Sequence, residues 1–288
     1  MPSGIVIVDK SAGWTSMDVC AKLRGILKER RIGHGGTLDP MATGVLPVFI
    51  GNATKAVEFA EKGDKEYVAG LWLGLVTNTQ DSTGEILEQR TAHVGREELK
   101  AVLPRFTGPI EQVPPMFSAV KVQGKRLYEL ARKGREIERK PRPVVIHALE
   151  ILEQTGPDRY LLRVRCSKGT YVRTLCHDIG AALGCGGCMD SLRRTMAAGF
   201  TIEQAVTLEQ VQERGGALLL PVDSLFSEYP IFRLSSPKAE RLVRNGNPIA
   251  APGLRPGDYR VYGREGEFLC LSRYGNGQLR AVKNFFGG

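Results

Sequence analysis

A single carboxylate, Asp39, lies in a segment dense with glycine, residues 33–44. Glycine permits backbone angles and close approaches that other residues do not, and Pro40 restricts Asp39 to extended conformations. The apolar run of residues 45–50 follows directly and is long enough for a buried strand. The pattern predicts that Asp39 is held on a rigid loop beside the core, which is how reactive groups are usually mounted.

The spacing in this loop argues against three common ligand sites. A Walker phosphate loop needs Gly-x4-Gly-Lys-Ser/Thr, and no such run occurs in the chain. The dinucleotide pattern Gly-x-Gly-x-x-Gly is broken because Leu38 and Asp39 follow Gly36. An EF-hand loop starting at Asp39 would have Gly44 at its sixth position, but it lacks the later carboxylates and ends on Ile50.

Other residues able to bind ligands or catalyse reactions are scattered along the chain. Cys185 and Cys188 form a CxxC pair, but a zinc site needs two more soft ligands at suitable spacing. We therefore expect no metal and reduced thiols at these positions. Four other residues could also act in a site, but each has an ordinary structural explanation when it is considered alone. They are His34, Tyr67, Tyr171 and Arg173.

Hydrophobic periodicity predicts the elements that position these residues. Val19, Leu23 and Leu27 mark one face of a helix, for which Thr15 or Ser16 can serve as the N-cap. Apolar and branched residues predict strands over residues 4–9, 45–50, 66–75, 143–152 and 160–166. Helical spacing predicts further helices over residues 54–61, 96–106, 126–133, 170–183 and 202–213.

The amino-acid composition of the chain changes near Tyr229. Pro237 occupies an early position of a short predicted helix, and a stretch rich in Gly and Pro follows over residues 245–257. Three short strand candidates then end near Phe286. These features predict a small β-rich domain of about sixty residues, near the lower size limit for independent folding.

The formal charge of +9 at pH 7 is concentrated in two zones. Residues 119–142 hold nine Lys or Arg against three Glu, and residues 229–288 hold ten against four acidic residues. Two separated basic zones favour a long phosphate backbone over a small anion as the partner. No stretch approaches the roughly 20 apolar residues of a membrane span, and no signal peptide is recognisable, so we expect no membrane partner and a cytoplasmic location.

Six segments, in order along the chain, resemble the bacterial TruB-type tRNA pseudouridine-55 synthases. They are residues 4–10 (GIVIVDK), 33–55 (GHGGTLDPMATGVLP…GNATK), 64–67 (DKEY), 114–128 (PPMFSAVKVQGKRLY), 167–175 (SKGTYVRTL) and 192–195 (LRRT). This resemblance implies an α+β fold. A mixed or antiparallel central sheet flanked by helices would form a catalytic pseudouridine synthase domain over residues 1–228, and a PUA-like RNA-binding domain would cover residues 229–288.

The reaction that the resemblance implies is the isomerisation of uridine to pseudouridine at position 55 in the T loop of tRNA, with flipping of the target base. Nothing is oxidised and no group is imported, so we expect no cofactor. Asp39 matches the catalytic aspartate, Arg173 its cationic partner, and Tyr67 the residue that stacks on the target base and is a candidate to relay the C5 proton. Attack on the sugar, attack on the base and removal of the C2′ proton all remain open for Asp39.

By the same resemblance, three further residues contact the RNA substrate: His34, Tyr171 and Leu192. The glycines near Asp39 would make room for the extruded nucleotide. We also expect Arg173 to hold Asp39 with a bidentate fork, which lysine does not reproduce.

The expected partner is the T arm of tRNA, bound by the basic helix of residues 126–133 and by the C-terminal zone. We expect a monomer with no obligatory protein partner, and a tRNA-folding activity can accompany catalysis. Three alternatives remain: an RNA-guided synthase of the dyskerin type, a non-catalytic RNA-folding protein, and a small-molecule phosphotransferase. Activity on bare tRNA would separate the first, and an Asp39→Asn variant that binds without isomerising would separate the second.

Overall fold

The apolar run that follows the Asp39 loop pairs with the apolar run of residues 4–10 in the computed structural model, which describes residues 2–122 and 124–286. Gly4–Lys10 and Thr43–Ile50 form an antiparallel ladder in which Gly4 is opposite Ile50 and Lys10 is opposite Gly44. Ile32–His34, where the loop begins, also pairs with Thr43–Ile50, so both ends of the loop are fixed to core strands. Gln123, which belongs to one of the resembling segments, lies outside the described residues.

The helices and strands of the first 228 residues are as follows. The strands are β1 (Gly4–Lys10), β2 (Ile32–His34), β3 (Thr43–Ile50), β4 (Lys65–Leu73), β5 (Leu75–Thr77), β6 (Ile86–Gln89), β7 (Gly108–Gln112), β8 (Lys121–Val122), β9 (Lys125–Arg126), β10 (Arg142–Gly156), β11 (Arg159–Cys166), β12 (Gly187–Ala197) and β13 (Phe200–Thr201). The α-helices are α1 (Ser16–Leu27), α2 (Val57–Lys62), α3 (Arg96–Val102), α4 (Leu127–Ala131), α5 (Val172–Ala182) and α6 (Leu208–Arg214). Short 3-10 helices cover Gly51–Ala56, Leu103–Phe106, Ile202–Gln204, Gly215–Leu218 and Val222–Phe226.

Among the described residues, nine strands form the main sheet in the order β1-β3-β12-β4-β11-β10-β7, with β2 on β3 and β13 on β12. The β3–β12 pair is parallel, while β12–β4 and β4–β11 are antiparallel. One face of the sheet packs against α1 and α5 through side chains such as Val6, Leu23 and Leu175, all of them fully buried. Burying such a side chain stabilises the fold by roughly 1.5–3 kcal/mol. The predicted α+β class with a mixed central sheet is confirmed.

The first helix begins where the sequence predicts. The Thr15 side chain accepts from the Asp18 backbone N–H at 3.1 Å, and the Asp18 carboxylate accepts from the Thr15 N–H at 2.9 Å. This reciprocal capping box satisfies donors that the first helical turn leaves free. α1 therefore starts at a fixed point immediately after the loop that contains Trp14.

The C-terminal segment forms a second sheet. Its elements are β14 (Ile231–Arg233), α7 (Pro237–Arg244), β15 (Ile249–Ala250), β16 (Gly257–Tyr262), β17 (Phe268–Gly275) and β18 (Gln278–Asn284). Phe268 and Phe285 pack with Phe226 and Phe59 on the second face of the main sheet. Lys283 also pairs with Glu58 of α2 at 2.7 Å. The small sheet thus rests on α2, the helix that follows the Asp39 loop and β3.

Four sequence expectations need correction. The strand β12, at the centre of the sheet, was not predicted. His34 lies on the short strand β2 rather than in a loop. The basic helix is only α4, five residues long, and α5 begins at Val172 with Tyr171 as its N-cap.

Within the described residues, no helix is long and apolar enough to cross a membrane.

Candidate active site

A cavity of about 120 Å³ lies where the Asp39 loop meets β4, α5 and β12. An engineered apolar cavity of about 150 Å³ takes up benzene, so this space is on the scale of one small ring. Four lining residues were not singled out from the sequence: Thr37, Leu38, Thr170 and Val172. Five of the six predicted site residues line the cavity: Asp39, Tyr67, Tyr171, Arg173 and Leu192.

The Asp39 loop is fixed by hydrogen bonds on both sides of the carboxylate. The Ser16 hydroxyl accepts from the Leu38 N–H at 2.9 Å, and the Asp39 carbonyl accepts from the Ala42 N–H at 3.0 Å. The Pro40 carbonyl accepts from Gly13 N–H at 2.9 Å. The Asp39 side chain itself is 38% exposed, so the carboxylate is held in place but remains open to a ligand.

Arg173, in the first turn of α5, is the cation beside this carboxylate. Its Nε lies 3.1 Å from the Asp39 Oδ2, and the side chain is only 8% exposed. Nη1 donates to the Thr79 carbonyl at 3.2 Å and Nη2 to the Phe117 carbonyl at 3.0 Å. The ion pair is as predicted, but the expected fork is not the arrangement found, because the guanidinium divides its donors among several acceptors.

Asp81 is a second carboxylate on Arg173 that the sequence did not reveal. It is buried, and its Oδ2 lies 3.4 Å from Arg173 Nη1. Its Oδ1 accepts from the Thr79 and Thr83 hydroxyls at 2.8 and 2.6 Å. Buried carboxylates are rarely left unpaired, and Asp81, which is not among the described lining residues, holds the guanidinium at a second point. In the sequence it belongs only to a turn, and the sole available signal was an aspartate followed by two hydroxyl residues, Ser82 and Thr83.

Tyr67 on β4 stands directly opposite Arg194 on β12. Arg194 is 1% exposed and donates to three carbonyls, those of Val45 at 2.6 Å, Gly36 at 3.1 Å and Thr37 at 3.4 Å. Burial raises the pKa of the Tyr67 phenol, and the charge of Arg194 opposes that rise. Tyr67 is therefore a protonated phenol at neutral pH. Arg194 connects β12, on which it lies, to the Asp39 loop.

Gly44 shows why this loop needs glycine. Its φ is +99°, and a Cβ at this position would lie 2.2 Å from the Arg194 carbonyl oxygen. Arg194 is opposite Gly44 where β12 and β3 pair in parallel, so any side chain would separate the two strands. Glycine is therefore required at position 44 so that β3 and β12 can pack closely, whether or not it also makes room for a nucleotide.

Three residues expected to contact a substrate occupy different places. Leu192 is largely buried on β12 and lines the cavity. Tyr171 also lines it, and the Gln112 side chain holds the Tyr171 N–H and carbonyl at 3.0 and 3.2 Å. His34 lies outside the lining, paired with Val48 on β3. Burial and the Arg194 charge lower the pKa of His34, and its buried Nδ1 has no partner among the described residues.

Lys10 is a buried cation near the same loop, and sequence reasoning did not single it out. Its Nζ donates to the carbonyls of Ser11 at 2.9 Å, Trp14 at 2.7 Å and Pro40 at 3.3 Å. Burial lowers the pKa of Lys10, and the negative charge of Asp39 opposes that shift. Lys10 therefore joins the Trp14 turn to the Asp39–Pro40 turn through one ammonium group.

A larger groove of about 660 Å³ lies between α3 and β10. Its carboxylate, Glu150, is more than half exposed and pairs with Arg163 at 3.5 Å. An exposed ion pair of this kind is weakly held. The smaller cavity, with its buried guanidinium and phenol, is the better candidate for chemistry.

The cysteines and other potential metal ligands form no second candidate site among the residues that the structure describes. All six cysteines are buried and free. Among the described residues, no group of three or more His, Cys, Asp or Glu side chains could hold a metal ion.

Comparison with known protein families assigns residues 24–227 of the chain. Residues 24–172 match the TruB family pseudouridylate synthase (N terminal domain), and residues 173–227 match the tRNA pseudouridylate synthase B C-terminal domain. The tRNA pseudouridine synthase B of Stutzerimonas stutzeri (strain A1501) is 45% identical over 278 residues, 93% of this chain and 90% of that protein. The protein of the same name from Dechloromonas aromatica (strain RCB) is 43% identical over 280 residues, 96% of this chain and 93% of that protein.

Two of the solved structures that share this fold are structures of multicomponent complexes. The chain matches a protein in the crystal structure of a Cbf5-Nop10-Gar1 complex with a TM-score of 0.75 and 28% identity, over 98% of this chain and 85% of the other. A second match, in an H/ACA RNP bound to a substrate RNA containing 2′-deoxyuridine, has a TM-score of 0.74 and 25% identity, over 99% of this chain and 85% of the other. These matches confirm the predicted pseudouridine synthase fold and the PUA-like character of the C-terminal sheet. The chain therefore belongs to the TruB family of pseudouridylate synthases.

Proposed function

We propose that the protein isomerises uridine to pseudouridine at position 55, in the T loop of tRNA. Support comes from the family and from relatives that are 43–46% identical and named tRNA pseudouridine synthase B. The observation that carries the proposal is the Asp39–Arg173 pair, 3.1 Å apart at a cavity of one-ring size.

The composition of the cavity suits an isomerisation better than a hydrolysis. Asp39 is the one carboxylate among its described lining residues. A glycosidase uses two carboxylates, one of them to protonate the leaving group and the other to activate water or to attack. In the proposed reaction the departing base itself returns, through its C5, to the sugar. A single ionised carboxylate is sufficient for this reaction, which requires that the bound nucleotide exclude water from the cavity.

Asp39 acts in its ionised form, and Arg173 stabilises that form with a fixed positive charge. The carboxylate then attacks the sugar, attacks the base, or removes the C2′ proton. Each route needs one Asp39 oxygen placed against the nucleotide within a few tenths of an ångström. The contacts of Arg173 with Asp81, Thr79 and Phe117 supply that placement.

Tyr67 supports the base and handles the proton at C5. Its ring lines the cavity, and the raised pKa keeps its hydroxyl protonated. A protonated phenol takes up a proton only while it passes its own to another acceptor. We therefore assign Tyr67 to stacking and to proton relay rather than to acting as a standing phenolate base.

A uridine within a folded T loop reaches this cavity only after extrusion from its stack, as in other enzymes that act on a base. Tyr171 and Leu192 at the cavity contact the flipped nucleotide, and His34, outside the lining, contacts the RNA around it. Extrusion costs a few kcal/mol of stacking and pairing, and phosphate contacts elsewhere on the protein offset that cost.

The basic zones supply these phosphate contacts. Lys125, Arg126, Arg132 and Lys133 flank α4 and are exposed. Exposed cations also lie on the C-terminal sheet and α7, among them Arg241. We assign residues 1–228 to catalysis and residues 229–288 to RNA binding, in a monomeric cytoplasmic enzyme that needs no protein partner or guide RNA.

The test is to incubate the purified protein with an unmodified T-arm hairpin, without guide RNA or other proteins, and to map pseudouridine at each uridine. The proposal requires modification at position 55 alone. Modification elsewhere would reject the site assignment, and a need for guide RNA would favour a dyskerin-type enzyme.

A further inference from the structure

Trp14 is an aromatic residue in a turn that is hydrogen-bonded to the Asp39–Pro40 turn, and the reaction described above does not use it. Its side chain is 37% exposed. Among the described residues, it makes no ring-stacking or cation–π contact, whereas the chain's other tryptophan, Trp72, lies under the Arg159 guanidinium at 3.7 Å. The indole of Trp14 is therefore available to a ligand.

The backbone around Trp14 is tied to the catalytic loop at three points. The Lys10 ammonium bonds both the Trp14 carbonyl, at 2.7 Å, and the Pro40 carbonyl, at 3.3 Å. Gly13 N–H donates to the Pro40 carbonyl at 2.9 Å. Two residues after Trp14, the Ser16 hydroxyl bonds Leu38. These contacts fix the Trp14 turn against the segment that carries Asp39.

Extrusion of one base leaves the bases on either side of it without a stacking partner, and an aromatic side chain near the catalytic loop can take that place. An indole offers a flat π face to any base, and such stacking is worth about 1–3 kcal/mol per base by alanine substitution. An exposed indole whose backbone is fixed against the catalytic loop can replace the lost partner.

We propose that the indole of Trp14 stacks on a base that flanks the extruded uridine, which makes Trp14 a determinant of RNA binding at this site. The inference rests on the proposed function, since it takes the ligand to be an RNA with one flipped base. In this arrangement Trp14 stacks on the neighbouring base, and Tyr67 stacks on the target uracil.

The first experiment compares binding of the T-arm hairpin by Trp14→Ala, Trp14→Phe and the wild-type protein. Trp14→Ala should weaken binding about tenfold, and Trp14→Phe, which keeps an aromatic face, should recover most of the loss. Leu152→Ala, at a residue of similar exposure (40%) on β10, is the matched control and should bind like the wild type. A Trp14→Ala affinity within about twofold of wild type would overturn the proposal.

The second experiment identifies the stacked base. Two hairpins are made abasic, one on the 5′ side and one on the 3′ side of the target uridine. The penalty of Trp14→Ala should disappear with one of them, because the base that the indole contacts is gone. A penalty that persists with both would show that the indole acts by another means.

The third experiment does not depend on an alanine variant. In a Trp72→Phe protein, Trp14 is the sole tryptophan, and its emission should change on saturation with the hairpin. Unchanged emission, with binding verified by filter retention, would contradict the inference. A wild-type protein that forms no pseudouridine would instead reject the proposed function, so the two failures are distinguishable.

Discussion

Replacing Arg173 by lysine tests whether the guanidinium works by placing Asp39. The substitution keeps a positive charge but removes the planar group that serves four acceptors: Asp39 Oδ2 at 3.1 Å, Asp81 Oδ2 at 3.4 Å, Thr79 O at 3.2 Å and Phe117 O at 3.0 Å. An ammonium has three donors at one point and does not reach four divergent acceptors. At least one carboxylate therefore loses its cation.

The expected magnitude follows from those contacts. A misplacement of about 1 Å at a reacting group lowers the rate about 100-fold. A lost hydrogen bond to a charged group is worth about 1.5–3 kcal/mol, which is a factor of about 10 to 150. We therefore expect kcat of Arg173→Lys to fall about 100-fold. The free energy of unfolding should fall by about 1–3 kcal/mol, because the buried Asp81 carboxylate loses a partner.

The assay is single-turnover release of tritium from a hairpin labelled at uridine C5, with the hairpin affinity measured in parallel. Arg159→Lys is the matched control, since Arg159 pairs with Asp190 at 2.9 Å outside the cavity and is 39% exposed. That variant should keep its rate. A folded Arg173→Lys protein with kcat within about threefold of wild type would refute the placement argument.

Three further predictions follow from the same structure. Tyr67→Phe keeps the ring but removes the hydroxyl, so hairpin affinity should persist while kcat falls about 100-fold or more; an unchanged kcat would exclude proton relay. Burial lowers the pKa of Lys65 from 10.5 to about 8. Between those two pH values the unfolded chain binds more protons than the folded one, so stability rises with pH. In urea unfolding, the stability of the wild type relative to Lys65→Met should therefore increase from pH 8 to 10.5 by at most about 3 kcal/mol; a decrease would contradict the shift. Hairpin affinity should fall about 100-fold between about 50 and about 200 mM salt if four phosphates are neutralised, and a flat response would rule out the basic zones as the binding surface.

Local signals in the sequence were sufficient for the elements that frame the site. β1 and β3 are short runs of branched apolar residues, and their pairing fixes the strand that follows the Asp39 loop. Thr15 caps α1 through a side chain three residues from its partner. The Asp39–Arg173 pair, in contrast, joins residues far apart in the chain, and it was expected only because both matched a family pattern.

β12 was missed because its sequence does not look like a core strand. Gly187 opens it, and Arg193 and Arg194 interrupt its apolar residues. Arg194 is tolerated in the centre of the sheet because three backbone carbonyls surround its guanidinium. Those carbonyls come from a segment about 150 residues earlier, at separations of 149 to 158. Periodicity within one segment carries no information about such partners.

Asp81 and Lys10 were missed for a related reason. Each looks like an ordinary surface residue, in a turn and at a strand end. Their roles depend on burial, which brings Asp81 to Arg173 across 92 residues and Lys10 to Pro40 across 30. Only the folded chain shows that these charges hold the Asp39–Arg173 pair in place.

Whether the ionised carboxylate of Asp39 carries out the isomerisation is decided by the Asp39→Asn variant. The variant is saturated with an unmodified T-arm hairpin, and pseudouridine at position 55 is counted after one wild-type turnover time and after many. We expect an affinity within a few-fold of wild type and no detectable pseudouridine, because the amide keeps the shape of the side chain but neither attacks nor accepts a proton. Pseudouridine formed by this variant at a substantial fraction of the wild-type rate would contradict this role of the Asp39 carboxylate.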